Sequence, residues 1–204
     1  MIRQLHWTYV RLNGIRDLWQ IPIMIPPPLY AYYRSMPRYT NYTMYVLDAN
    51  DEDFFFGWLT PLVYNAQQQG YTVWEIAELL LNLVSSLPYY MEIGEYPRYP
   101  VETLWDGGGD CEDVAILTTK LWRLTGFKSA LIHVPGNPGH MAAAIAAYGA
   151  PGGYIEVQGI RYYYAEATSD SSGLRRIGDV PPDIAQKRVQ LSPIPVHPSP
   201  ILRF

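Results

Sequence analysis

Asp106-Gly107-Gly108-Gly109-Asp110-Cys111-Glu112-Asp113, running on through Val114-Ala115-Ile116-Leu117 to Thr125-Gly126, is the stretch whose reading decides the fold. Val114, Ala115, Leu117, Thr118, Leu121, Trp122 and Leu124 recur at helical spacing and predict a helix with one apolar stripe. Asp110 is placed to cap it, with Asp113 as the box residue, and Gly126 is placed to end it. A run of three glycines just upstream allows the backbone to come in close. Cys111 then falls in the first turn of the helix. It is the only cysteine in 204 residues, so neither an intrachain disulfide nor a thiolate pair for zinc can be built. A buried inert thiol or a nucleophile remains.

Outward from that helix the period of the chain changes. Downstream, Ser129–Val134, His140–Tyr148, Tyr154–Gln158 and Arg161–Thr168 are short β-type runs bounded by Gly or Pro turns. Upstream, a helix is predicted from Asp51 or Asp53 as cap to about Gln69, stopped by Gly70. A second follows from Val73 to about Leu87, opened by the capping box Thr72-Val73-Trp74-Glu75 and closed by Pro88. Its apolar residues wrap most of the circumference, which predicts burial on several sides. Helices first and antiparallel strands after them give an α+β fold.

The two ends read differently. Residues 1–50 are expected to form an extended amino-terminal arm or hairpin laid over the core. Ile21 to Pro28 is proline-rich and excluded from helix on that ground, while Leu29–Arg34 and Tyr42–Leu47 are aromatic and β-prone. Residues 51–182 are expected to be the main folded domain. Residues 183–204, with Pro193, Pro195, Pro198 and Pro200, are expected to be a proline-rich tail acting as strap or linker.

Composition limits the function classes. With 49% hydrophobic and 17% charged residues the chain is globular rather than disordered. A net charge of −4 offers no basic stripe for phosphates, so nucleic acid is not an expected partner. Ser129 to Ile155, the longest uncharged stretch, is interrupted by Pro and Gly and is not expected to span a membrane. The opening residues lack the apolar run of a secretory signal, and a cytoplasmic location is the expectation.

Position within the helix bears on the thiol. The unpaired N–H groups and the macrodipole of a first turn favour a thiolate, whereas Asp110, Glu112 and Asp113 oppose it by repulsion. An imidazolium partner is therefore needed. Of the four histidines, His6 lies in the arm, His197 in the tail, and His133 inside an apolar strand, where a core histidine is expected. His140 opens a strand of small residues directly after Pro135-Gly136-Asn137-Pro138-Gly139 and is the best base. Glu166, at the end of the aromatic strand Arg161–Thr168, can reach it and fix its tautomer. Trp105 or Tyr89 could wall the cleft.

Gly-Asp-Cys-Glu-Asp before an apolar helix, then Gly139-His140-Met141, then Tyr-Ala-Glu-Ala-Thr resembles the transglutaminase-like branch of the papain-like cysteine protease superfamily. Tyr96 to Leu104 and Leu87-Pro88-Tyr89 look like its prokaryotic members. The resemblance covers about residues 50–182. It implies a helix bearing the cysteine packed on an antiparallel sheet that carries the other two members of a triad, Cys111, His140 and Glu166. The third position is more often aspartate in that superfamily. The implied activity is cysteine-dependent acyl transfer on an amide or peptide bond through a thioester. Hydrolysis of a peptide or protein substrate comes first, and transfer to an amine, as in a transglutaminase, second. A non-catalytic binding or scaffold domain is the reading from another class. No cofactor and no metal are called for, and the oligomeric state is not legible.

Overall fold

The computed structural model describes residues 1–91, 94–168 and 174–202. Strands β1 (Ile2–Val10) and β2 (Arg16–Met24) form an antiparallel hairpin with Trp7 opposite Trp19. Leu5, Trp7, Tyr9, Trp19 and Ile23 turn one face of it into the main core.

The rest of the amino-terminal region departs from expectation. Pro27–Ser35 is a helix (α1) and Thr43–Leu47 a short one (α2), where extended chain was predicted. Prolines 27 and 28 occupy the first helical positions, where a missing N–H costs nothing because no acceptor exists there anyway. The β-prone aromatics are overridden by packing. Tyr33 and Tyr45 are fully buried and meet Tyr99, with ring centroids 4.8 and 4.5 Å away.

Helices α3 (Glu52–Gln68) and α4 (Val73–Ser85) stand where the pattern puts them. The Thr72/Glu75 capping box forms in full, and every residue of α4 from Glu75 to Val84 is buried. Asp51 holds the N-cap position of α3 but makes no cap hydrogen bond. Its carboxylate instead meets Lys120 Nζ at 2.7 Å, both side chains fully buried. A further helix, α5 (Pro100–Asp106), precedes the glycine run.

Helix α6 (Cys111–Thr125) is the centre of the molecule. From Asp113 onward every residue is buried, including Lys120 and Arg123, so the predicted single stripe is a helix enclosed on all sides. It packs against the sheet through β3 and β4, and against α2, α3, α4 and α5 on its other sides. The strands are β3 (Ser129–Val134), β4 (His140–Ala146), β5 (Tyr154–Val157), β6 (Ile160–Ala165) and β7 (Gln190–Ile194). They form one sheet in the order β5-β6-β4-β3-β7, every pairing antiparallel. The architecture is α+β.

The proline-rich tail is thus in part a strand. Among the described residues β7 pairs only with β3, and an edge strand tolerates Pro193, opposite Ala130, without breaking the sheet. Beyond it, the amides of His197, Ile201 and Leu202 donate to the carbonyls of Arg123, Leu124 and Thr125, supplying partners to the last turn of α6. No helix of the described residues is long and apolar enough to cross a membrane.

Candidate active site

The glycine run sets the thiol in place. A Cβ on Gly108 would stand 2.2 Å from the carbonyl oxygen of Pro88, so only glycine allows the loop to lie against residues 88–90. There Gly109 N–H donates to Pro88 O at 3.3 Å and Tyr90 N–H to Gly109 O at 2.9 Å. Asp110 caps α6 and Asp113 closes the box, receiving Asp110 N–H at 3.2 Å. Asp113 is also gripped by Arg98, through its backbone N–H and through Nη1, both at 2.6 Å. Burial and the neighbouring Asp110 push the Asp113 carboxyl up to about 7 against the pull of Arg98.

Cys111 is half-buried in the first turn. Its thiol donates to Glu112 Oε2 at 3.3 Å, and the backbone N–H of Met141 points at the sulfur. Burial, then the Glu112 charge, push the thiol up to about 12. In this resting arrangement desolvation and repulsion outweigh the helix dipole, so the first-turn position does not by itself favour the thiolate.

His140 and Glu166 are joined directly, Nε2 to Oε2 at 2.8 Å. Since a carboxylate only accepts, Nε2 carries a proton, and in the neutral ring Nδ1 presents its lone pair. Glu166 is otherwise held by the Tyr164 hydroxyl at 2.7 Å and by the Thr168 backbone N–H and Oγ1 at 3.1 and 2.7 Å. Burial raises its pKa, but His140, Thr168 and Tyr164 outweigh burial and hold it at about 2.

Strand alternation explains how these groups approach each other. Met141, Ala143 and Ile145 face α6, whereas Ala142 and Ala144 face the opposite side. His140 shares the parity of the second set and sits at the first position of β4, where the sheet ends. The imidazole therefore comes to the end of the sheet from the face opposite α6. Thiol and imidazole line one cleft of about 400 Å3, and no hydrogen bond joins them among the described residues.

The same cleft is lined by Tyr42, Tyr89, Glu95 and His133, by Met91, and by the loop Gly136–Gly139. Of the two aromatics considered for the cleft wall, Tyr89 lines it. Trp105 does not: it stacks on Tyr30 with centroids 4.4 Å apart, and Arg3 donates to its carbonyl. His133, expected in the core, is exposed and faces the cleft. Its strand pairs Val134 with His140, so the ends of both strands share one rim, a relation that needs the register of the sheet. His6 is exposed on the hairpin, and His197 Nε2 lies 2.9 Å from Glu52 Oε2. A more spacious and mostly apolar cavity, about 890 Å3, lies by Gly126 at the opposite end of α6. At about 1.5 Å per residue it stands about 22 Å from the thiol, so volume alone does not mark the chemistry.

No family profile matches the chain, and no curated protein matches it. Two solved structures are similar. LapG of Legionella pneumophila is 17% identical with a TM-score of 0.35, over 76% of this chain and 78% of that one. A candidate cysteine protease from Cytophaga hutchinsonii is 13% identical with a TM-score of 0.42, over all of this chain and 80% of that one. Likeness this distant says nothing about chemistry, which has to be read from the cleft itself.

Proposed function

We propose that the chain is a transglutaminase-like cysteine hydrolase that cleaves an amide or peptide bond of a peptide or protein substrate. The observation that carries this reading is the His140–Glu166 hydrogen bond at the rim of the cleft that holds the lone thiol. It leaves Nδ1 as the ring nitrogen able to take a proton.

In the proposed reaction the Cys111 proton passes to His140 Nδ1 as the sulfur forms a bond to the carbonyl carbon. The oxyanion is held by the Cys111 backbone N–H at the positive end of α6. His140 returns the proton to the leaving amine as the C–N bond breaks, giving a thioester. Water, deprotonated by His140, then forms the C–O bond and releases the thiolate. Glu166 stays ionised throughout and orients the ring. Amine transfer uses the same residues with an amine replacing water.

A second reading has its own support. A thiol bonded to Glu112 and pushed up to about 12 suits a non-catalytic scaffold. The two are separated by incubating the protein with a peptide mixture, with and without a primary amine, and identifying products by mass. Cleavage lost in Cys111→Ala supports the hydrolase, and amine-capped products would favour transfer. A chain that turns over nothing and whose thiol titrates as an isolated buried thiol would leave the scaffold.

A further inference from the structure

Glu166 is held by more groups than a simple triad needs. Its Oε2 accepts from both His140 Nε2 and the Tyr164 hydroxyl, and its Oε1 accepts twice from Thr168. Tyr164 is 3% exposed and its oxygen also lies 3.4 Å from His140 Nε2, so the phenol sits against both members of the pair. Its ring is fixed by the sheet, since Tyr164 stands opposite Ala144 on β4. Tyr164 lies near the end of β6, Glu166 and Thr168 follow just past it, and hydrogen bonds bring the three side chains together.

We propose that Tyr164 and Thr168 are positioning residues that clamp the two carboxylate oxygens of Glu166, so that His140 is held in the Nε2–H tautomer with Nδ1 turned to the cleft. The inference rests on the acyl-transfer reading above. A buried phenol needs a partner, but an apolar neighbour and water could not also restrict the rotation of the carboxylate. Burial, then the Glu166 charge, push the Tyr164 phenol far above its ordinary range, so it remains a donor wherever the enzyme works. Each oxygen has its own holder, and only Oε2 is shared with the imidazole. Loss of the Tyr164 hydroxyl should therefore cost more than loss of the Thr168 hydroxyl.

The test needs no substrate. Long-range 1H–15N spectra of the histidines, assigned by loss of signals in His140→Ala, report the tautomer of the neutral ring. Iodoacetamide reports the reactivity of Cys111. In Tyr164→Phe, which keeps the ring, the His140 tautomer should become mixed and alkylation near pH 7 should slow about tenfold, the low end for a hydrogen bond to a charged group. Thr168→Val should slow it less, about threefold, because the backbone N–H of residue 168 still donates to Oε1. A folded variant that keeps the wild-type tautomer and alkylation rate overturns the role of that residue. If Tyr164→Phe does not fold, the half-exposed Thr168 decides by the same two readouts. His140→Ala separates the two layers. If it leaves alkylation unchanged, the triad itself fails. If it slows alkylation while the clamp variants do not, only the clamp fails.

Discussion

Two acid–base pairs, one enclosed against α6 and one at the rim of the sheet, behave in opposite ways. Asp51 and Lys120 meet in the middle of the helix with both side chains fully enclosed, and burial pushes Asp51 up to about 6 against the pull of Lys120. His140 and Glu166 meet at the rim, where the imidazole is partly exposed to a cleft, and Glu166 is held at about 2. Both pairs are perturbed, but only one opens onto space where a substrate could lie. A shifted pKa therefore does not by itself mark chemistry. What sets the second pair apart is a carboxylate saturated with donors, beside a ring nitrogen with no hydrogen bond among the described residues and a thiol within the same cleft.

The comparison is broken most severely at the base. His140→Ala should reduce turnover on any cleaved peptide by about a thousandfold, the usual scale for losing a general acid–base group, with little change in melting temperature. A variant that retains turnover would make the rim pair structural like the other. Lys120→Met should do the reverse. Stranding Asp51 without its partner should cost about 3–5 kcal/mol in urea unfolding. Thiol reactivity of the protein that remains folded should not change. Replacing both members, Asp51→Leu with Lys120→Met, should recover most of that loss, because a packed apolar pair needs no desolvation of charge.

The two pairs also carry opposite pH dependence. Glu166 is depressed from 4.5 to about 2, so its contribution is present above the unfolded pKa and is lost as pH falls from about 5 towards 2. The shift amounts to about 3 kcal/mol. Asp51 is raised, so the folded state holds a proton there more tightly, and stability gained from that site declines as pH rises from about 4 to 6. Denaturant midpoints measured across pH 2 to 7 should have a shallower acid slope in Glu166→Gln, with the part due to Asp17, Glu52 and Glu75, also held low, still present. The opposing slope should shrink in Asp51→Asn, leaving the part due to Asp113. Equal curves for either variant and the parent would show that its group has no such shift.

Much of this was legible where local chemistry and final structure agree. Asp110, Asp113 and Gly126 bound α6 as the sequence states, Thr72 and Glu75 open α4, and Ser129–Val134 is a strand from end to end. The regions that misled are those where a tertiary partner overrides a propensity. Tyr33 and Tyr45 lie on helices because Tyr99 receives them, not because their own neighbours favour it. Prolines 27 and 28 read as a helix breaker but begin one. For α5 the signal was present, Pro100 at the first turn with Glu102 accepting from Tyr99 N–H. At the site, Cys111, His140 and Glu166 could be picked out by type and order. The exposure of His133 and the bond of the thiol to Glu112 depend on strand register and on a rotamer, which no pattern of residues encodes.

That rotamer supplies the smallest effect and the finest test of what distinguishes the rim from the interior. Glu112 is the second cause, after burial, of the high thiol pKa, and it accepts the thiol proton at 3.3 Å. Glu112→Gln keeps the shape but removes the charge, so the thiolate should form more readily. One unit of pKa, about 1.4 kcal/mol, would make alkylation near pH 8 about tenfold faster. The neighbouring cap Asp110 would still repel the sulfur, so the change should be partial. An unchanged rate would mean that desolvation alone keeps the thiol protonated. The route to a reactive sulfur would then lie in opening the cleft to water rather than in turning Cys111 from Glu112 towards His140.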